Sequence, residues 1–192
     1  MRFYRIIGLS GLALIFSIAA IMAQGTPKYV GASKCKACHM SKKKGDQFNK
    51  WKENRHASAF VTLGTDRAKS VAAEAGVSGD PQKADACLQC HVTAHGADKA
   101  ALDTSYKMEE GVTCETCHGP GSLYRKASVM NAKKYAADPE GTVAGWKTMG
   151  LIMPDENLCK KCHNEKSPTY KPFDYKSFAE MIAHPNPNIT KK

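Results

Sequence analysis

The pattern Cys-x-x-Cys-His occurs four times in the chain and uses all 8 of its cysteines. The cysteine pairs are Cys35/Cys38, Cys87/Cys90, Cys114/Cys117 and Cys159/Cys162, and the histidines that follow them are His39, His91, His118 and His163. This spacing is the attachment signature of c-type haem, in which two thiols bond to the ring and the histidine binds iron. A zinc ribbon or a disulfide framework also uses paired cysteines, but neither needs a histidine after every second cysteine. The sequence therefore predicts four covalently bound haem c groups.

Three further histidines, His56, His95 and His184, are candidates for the sixth iron ligand on the opposite face of a haem. His56 and His184 lie in segments with apolar residues that can pack on porphyrin, WKENRHASAF and FAEMIAHPN. His95 follows His91 too closely to reach the other face of the same ring, so we expect it to serve a neighbouring haem. Three histidines cannot complete four irons. The remaining iron is expected to be open to small ligands, to take a methionine, or to receive a histidine from a partner or a second copy.

The N-terminus has the features of a secretory signal. Arg2 and Arg5 precede an apolar run from Ile6 to Ala23, and polar sequence follows. We expect residues 1–23 to be removed and residues 24–192 to form one tetrahaem domain in the periplasm, since c-type haem is attached outside the cytoplasm. The apolar run is also at the lower limit for crossing a bilayer, so an uncleaved anchor with membrane association through residues 6–23 is the alternative.

The fold class expected for the mature chain is all-α and loop-rich, a single domain wrapped around four closely packed covalent haems. No run of alternating apolar residues indicates a sheet. Predicted helices are Lys42–Phe60, Asp66–Ala75 (capped by Thr65 or Asp66), Ser122–Ala137 and Tyr175–His184; predicted irregular segments are Gly76–Ala84, Ala137–Gly145 and the tail His184–Lys192. The protein part of the core should be thin, because the porphyrins supply much of the buried apolar surface. We therefore expect the chain to unfold without haem.

The formal net charge of +10 does not indicate nucleic-acid binding, because the propionates of four haems offset most of it. No basic stripe interleaved with aromatic residues accompanies it. The run Lys42–Lys44 is expected to be a solvated surface, with docking to an acidic redox partner as the alternative.

Several segments resemble the tetrahaem cytochrome c-554 family, electron carriers associated with hydroxylamine oxidation in nitrifying bacteria. The resemblance extends from about Tyr29 to His184 and is carried by YVGASKCKACH, WKENRHASAF, GVTCETCHGPG and NLCKKCHNEKSPTYKPFDYKSF. The same motifs occur in a wider group of multihaem cytochromes.

The resemblance implies a ligand set. His56 would bind the haem of the fourth motif, His184 would bind that of the third, and the haem of the second would be five-coordinate. Where the family has a histidine about eleven residues after the third motif, this chain has Val129, followed by Met130. It also has His95 where the family more often has an aromatic residue. His95 would then serve the first haem; alternatively, His95 lies near its own haem and Met130 binds the first.

The expected function is that of a periplasmic electron carrier, not an enzyme, which transfers electrons between redox proteins through its chain of haems. The resemblance implies partners such as a hydroxylamine-oxidoreductase-like multihaem enzyme or a quinol-linked membrane complex. Two alternatives remain open: a haem enzyme that reduces a small nitrogen oxide at an open iron, and a conducting subunit of a larger cytochrome assembly.

Overall fold

The computed structural model describes residues 25–187, which form short helices joined by turns. In chain order the α-helices are α1 (Ser33–His39), α2 (Gln47–Lys52), α3 (Ala59–Thr62), α4 (Asp66–Glu74), α5 (Asp85–His91), α6 (Cys114–His118), α7 (Ala132–Ala137), α8 (Pro139–Thr148), α9 (Glu156–Lys160) and α10 (Tyr175–Ile182). Short 3-10 helices lie at Lys42–Lys44, Arg55–Ser58, Pro81–Lys83, Lys99–Ala101 and Met108–Glu110. Within residues 25–187, β structure is limited to one isolated parallel bridge between Tyr29 and Leu102. These residues agree with the predicted all-α, loop-rich class.

The predicted signal segment and the last five residues of the predicted tail lie outside the described residues. Residues 184–187, the described part of that tail, contain no helix, as expected. In residues 25–187 every helix is too short or too polar to cross a bilayer.

Two predicted helices are confirmed. α4 begins as expected at Thr65, whose hydroxyl accepts a backbone N–H from the first turn at 3.2 Å. α10 matches the predicted C-terminal helix but ends at Ile182, two residues before His184. The predicted irregular segment Gly76–Ala84 is also confirmed, apart from one 3-10 turn within it.

The single helix predicted for Lys42–Phe60 is wrong, because the chain is broken there into several short helical turns. Asp46 adopts a left-handed conformation with φ 53°, and Asn54 is extended, so neither continues a right-handed helix. Tertiary contacts hold the broken path in place: the Trp51 indole N–H donates to the Val112 carbonyl at 2.8 Å.

The segments around α7 and α8 also differ from the prediction. In Ser122–Ala137 only α7 is α-helical, and it begins at Asn131, whose side chain accepts two backbone N–H groups. The turn predicted for Ala137–Gly145 is largely replaced by α8. There Asp138 caps the helix and Pro139 occupies its first position, where proline lacks only an N–H that would be unpaired anyway.

The protein core is small, as the sequence predicts for a chain of this kind. In residues 25–187 the buried hydrophobic side chains are Val30, Ala32, Leu63, Ala72, Leu88, Val92, Val112 and Tyr124. Leu63, Leu88 and Val92 pack with Phe60 and Met108 between α3 and α5. This cluster therefore lies beside the second motif, which α5 carries.

Candidate haem-attachment site

Each of the four motifs adopts a helical turn. The first three form the ends of α1, α5 and α6, with the histidine as the last helical residue. The fourth begins in α9 and continues through a turn in which the His163 N–H donates to the Cys159 carbonyl at 3.0 Å. Residues i, i+3 and i+4 lie on one face of a helix, so a helical Cys-x-x-Cys-His places both thiols and the imidazole on the same side. That arrangement suits attachment to one ring.

Cys38 differs from the other attachment cysteines in its exposure. The other seven are half-buried, but Cys38 is exposed. The physical reason is the position of α1, which buries none of its residues and also exposes Lys36 and Ala37. The protein alone therefore does not shelter this thiol. Its attachment to the first haem stays a prediction, in which the bound ring would cover the exposed side of α1.

Two pairs of histidines, distant in sequence, face each other. The ring centroids of His56 and His163 lie 6.0 Å apart with an interplanar angle of 77°. Those of His118 and His184 also lie 6.0 Å apart, at 83°. A metal–imidazole bond is about 2 Å long, so two rings that bind one iron from opposite faces have centroids roughly 6 Å apart. Each pair therefore fits one iron between its rings.

Desolvation favours the neutral form, which binds iron, in three of these rings. Desolvation lowers the pKa of His56 and His118 below the usual 6.5, and the facing imidazole of each pair lowers it further. Desolvation also lowers the pKa of His163. Because neutral imidazole is the ligand, the environment of these three rings favours coordination.

His39 and His91 are oriented by hydrogen bonds at Nδ1. The His91 Nδ1 lies 2.8 Å from the Ala59 carbonyl oxygen, and the His39 Nδ1 lies 3.4 Å from the Gln47 Oε1. Such contacts leave Nε2 free to bind iron. Among the ring contacts of residues 25–187, none joins either histidine to a second imidazole.

His95 lies in the turn that follows α5. Its Nε2 is 3.7 Å from the Asp85 Oδ1 at the start of the same helix, and its side chain is 26% exposed. The preceding Ala94 has a φ of 58°, a left-handed conformation that directs the chain out of the helix. Over residues 25–187, no ring contact pairs His95 with another histidine.

Met130, the other candidate sixth ligand, is half-buried in the turns after the third motif. The Trp146 indole N–H donates to the carbonyl of the adjacent Val129 at 2.9 Å, which ties this turn to α8. The geometry thus joins His56 with His163 and His118 with His184.

Thiols from different motifs lie against each other. Cys35 is hydrogen-bonded to Cys114, which raises the pKa of Cys35 and lowers that of Cys114. Burial, followed by the nearby Cys90, raises the pKa of Cys162 to about 12, and Cys117 adds to this effect. The first motif therefore lies next to the third, the third next to the fourth, and the fourth next to the second.

Glu115, between the two cysteines of the third motif, is a structural residue that sequence reasoning missed. It is 2% exposed, and its carboxylate accepts the N–H groups of Val30 at 2.9 Å, Gly31 at 2.8 Å and Gly121 at 2.7 Å. Burial raises the pKa of this carboxyl group, while the three backbone donors act in the opposite direction. An acidic residue inside a haem motif, followed by Gly-Pro-Gly, is the signal that could have indicated it.

An aromatic stack beside the fourth motif was also missed. The Phe173 ring lies 4.8 Å from that of His163 at an interplanar angle of 15°, and Phe178 lies 5.1 Å from Phe173 at 30°. The His163 and Phe173 rings border an open cavity of about 490 Å³. The cavity is lined by Lys160, His163, Asn164, Glu165, Lys166, Tyr170 and Phe173.

All 8 cysteines are free thiols, so the disulfide alternative does not describe this structure. Within residues 25–187, no group of three or more His, Cys, Asp or Glu side chains is arranged to hold a metal ion directly. A free cysteine pair followed by a histidine is the donor set that covalent haem requires.

Comparison with known proteins gives two matches. The family model described as "Cytochrome c554 and c-prime" matches residues 34–119, which include the first three motifs. Cytochrome c-554 of Nitrosomonas europaea is 29% identical over 165 residues, which cover 81% of this chain. The matched region spans 66% of the length of that relative. No solved structure matches the chain significantly.

Proposed function

We propose that the chain is a member of the cytochrome c-554 family and that it is a periplasmic tetrahaem electron carrier. As a c-type cytochrome it binds haem c covalently and acts with redox partners. The observation that carries the proposal is the two pairs of facing imidazoles, each with ring centroids 6.0 Å apart and each containing one motif histidine. Two histidines on one iron are typical of electron-transfer haems rather than of haems that bind substrate.

In the proposed assignment, the four cysteine pairs attach four haems and the motif histidines bind their irons. His56 completes the site of the fourth motif and His184 that of the third. The second haem is five-coordinate. For the first, His95 and Met130 remain the two candidate sixth ligands.

Bound haem supplies one-electron chemistry at iron, and the chain sets where that chemistry occurs and at what potential. Paired imidazoles, burial and nearby charge are the features by which a protein sets haem potential. The contacts between thiols support a continuous order of sites, running first, third, fourth and second. Such an order lets electrons cross the protein without movement of its elements.

The proposal is tested by counting haems and measuring their spin state. Mass spectrometry and pyridine haemochrome should give four haems per chain. Electron paramagnetic resonance (EPR) of the oxidised protein should show at least two low-spin ferric centres, since two sites have facing imidazoles. Fewer than four attached haems, or iron that is entirely high-spin, would contradict the proposal.

A second function, binding or reduction of a small nitrogen oxide, is favoured by one observation. His91 has no facing imidazole among the ring contacts of residues 25–187. Carbon monoxide added to the reduced protein should bind at one haem if that iron is open, and nitric oxide turnover can then be assayed. Absence of any carbon monoxide complex would exclude this chemistry.

The proposed partners are redox proteins that meet the carrier in the periplasm. A hydroxylamine-oxidoreductase-like multihaem enzyme and a quinol-linked membrane complex are the two candidates. Reduction of the purified carrier by each would distinguish them.

A further inference from the structure

Three of the candidate iron ligands have a hydrogen bond at a ring nitrogen that fixes the orientation of the ring. A protein usually sets the orientation of a ligating imidazole in this way, through the nitrogen that does not bind the metal. Nδ1 contacts of this kind are made by His39 with Gln47, His91 with Ala59, and His184 with Ile182.

His163 has a different arrangement. Among the hydrogen bonds of residues 25–187, none uses a ring nitrogen of His163. Instead, Phe173 stacks on the imidazole at 4.8 Å and 15°, close to the offset parallel geometry that aromatic rings prefer. Phe178 then packs on Phe173 at 5.1 Å and 30°.

We propose that Phe173 is a positioning residue, which fixes the rotation of the His163 imidazole about its bond to iron, with Phe178 supporting it from α10. This inference rests on the proposed function, in which His163 and His56 bind the haem of the fourth motif. The two imidazole planes of that pair are 77° apart. A parallel phenyl ring in contact with one plane opposes rotation of that plane, and so maintains the angle.

Two measurable properties depend on this positioning. The angle between axial imidazole planes affects the splitting of the iron d orbitals, and low-spin ferric EPR g values report that splitting. Phe173 also packs on one face of the His163 imidazole, so it shields that face from water. Because exposure to water favours ferric over ferrous iron, loss of the phenyl ring should lower the reduction potential.

The test compares Phe173→Leu with Phe173→Tyr in the holoprotein. Leucine keeps apolar volume but removes the stack, whereas tyrosine keeps the stack. We expect Phe173→Leu to shift the EPR g values and lower the potential of one low-spin haem, and Phe173→Tyr to leave both close to wild type. The His118/His184 haem is the internal reference, because Phe173 makes no ring contact with that pair among the described residues.

Phe48→Leu is the matched control. Phe48 is also half-buried and packs on an aromatic ring, that of Trp51 at 5.4 Å, but it has no ring contact with a histidine in residues 25–187. Unchanged g values in Phe173→Leu, or an equal change in Phe48→Leu, would overturn the inference. Should Phe173→Leu fail to retain four haems, Phe178→Leu is measured instead. That variant should give a smaller shift of the same haem, and no shift would count against the inference.

Failure of the proposed function would appear separately. The EPR spectrum of the wild-type protein should contain a low-spin signal that is absent from His56→Ala. If the two spectra show the same low-spin signals, the ligand assignment itself is wrong. If that centre is present and insensitive to Phe173, only the positioning role is wrong.

Discussion

Each facing pair of histidines is expected to depend on both of its members, because one iron needs both rings to be low-spin. We predict that His56→Ala makes the fourth-motif haem high-spin and leaves the third-motif haem low-spin. His184→Ala should have the reciprocal effect, because its ring faces that of His118. EPR of the oxidised variants measures both outcomes.

His95→Ala is the control for these two variants. The His95 ring contacts Asp85 and no second imidazole within the described residues, so both low-spin signals should persist. Loss of either signal in His95→Ala, or of both signals in His56→Ala, would show that the pairing is different. A change confined to a third haem would identify His95 as its ligand. Met130→Leu would then leave the EPR spectrum unchanged.

Glu115 is expected to stabilise the fold rather than to act in electron transfer. Its carboxylate accepts backbone N–H groups from the segment before α1 and from the loop after α6. Glu115→Ala leaves these buried donors without a partner, so we predict a loss of about 3 kcal/mol or more in unfolding free energy. Guanidinium denaturation of the holoprotein, followed by far-UV circular dichroism, measures the change.

The exposed Glu109 provides the comparison for Glu115. Glu109→Ala removes the same side chain from a neighbouring position but leaves no buried donor unpaired, and it should change stability by less than about 0.5 kcal/mol. Equal destabilisation by the two variants would mean that the three hydrogen bonds contribute nothing specific.

At the scale of elements, α10 connects two of the sites. It carries Phe178, which supports the stack on His163, and its C-terminal end leads into His184. The Asp174 side chain caps this helix by accepting the Ser177 N–H at 2.8 Å. Side-chain and backbone hydrogen bonds from Ser177 lower the pKa of Asp174 below the usual 3.8.

The position of that pKa predicts how α10 responds to acid. A carboxyl group whose pKa is depressed in the folded state stabilises that state above its ordinary pKa, and the contribution is lost as the pH falls through the folded pKa. We therefore predict that the His184-ligated low-spin signal weakens as the pH falls below 3.8. Asp174→Asn keeps a capping acceptor that cannot be protonated in this range. In Asp174→Asn the His184-ligated low-spin signal should persist to lower pH than in the wild-type protein. If the signal is lost over the same pH range in both proteins, the Asp174 cap is not the origin of the transition.

The helices that could be predicted from sequence are those whose signals are local. α4 has a capping threonine followed by helix-favouring residues, and α10 has regularly spaced apolar residues. The helix expected at Lys42–Phe60 failed because left-handed Asp46 and the hydrogen bond from Trp51 to Val112 depend on tertiary contacts. α8 was missed because Asp-Pro-Glu-Gly was interpreted as a turn, although aspartate followed by proline also starts helices.

The same distinction applies to the candidate site. The four attachment motifs follow from the spacing of cysteine and histidine alone, but that spacing does not indicate that Cys38 is exposed while Cys35 is half-buried. The stacking of Phe173 on His163 and the reach of Glu115 to Val30 join residues that are separated by 10 and 85 positions. Tertiary packing determines burial and these contacts, so no local pattern could have predicted them.

At the scale of the whole molecule, apolar surface is distributed unusually. Few hydrophobic side chains in residues 25–187 are buried, while Val61 is 63% exposed, Met153 54%, Phe178 42% and Met181 75%. Phe178 belongs to the stack beside the fourth motif, where a bound porphyrin would cover apolar surface. We therefore expect the protein to rely on a group outside its own side chains to complete its core.

This dependence predicts that the chain without haem does not fold cooperatively. A domain of this size with a thin core buries too little apolar surface to offset the conformational entropy lost on folding. Residues 24–192 produced in a cytoplasm without haem attachment should show low helicity and no sharp thermal transition by far-UV circular dichroism. The same residues exported and loaded with haem should melt cooperatively.

A double variant, Cys159→Ala with Cys162→Ala, should lose one haem and melt at a lower temperature than the intact holoprotein, because Phe173 and Phe178 lose the ring that covers them. A haem-free chain that melts cooperatively near the temperature of the holoprotein would show that the side chains alone suffice.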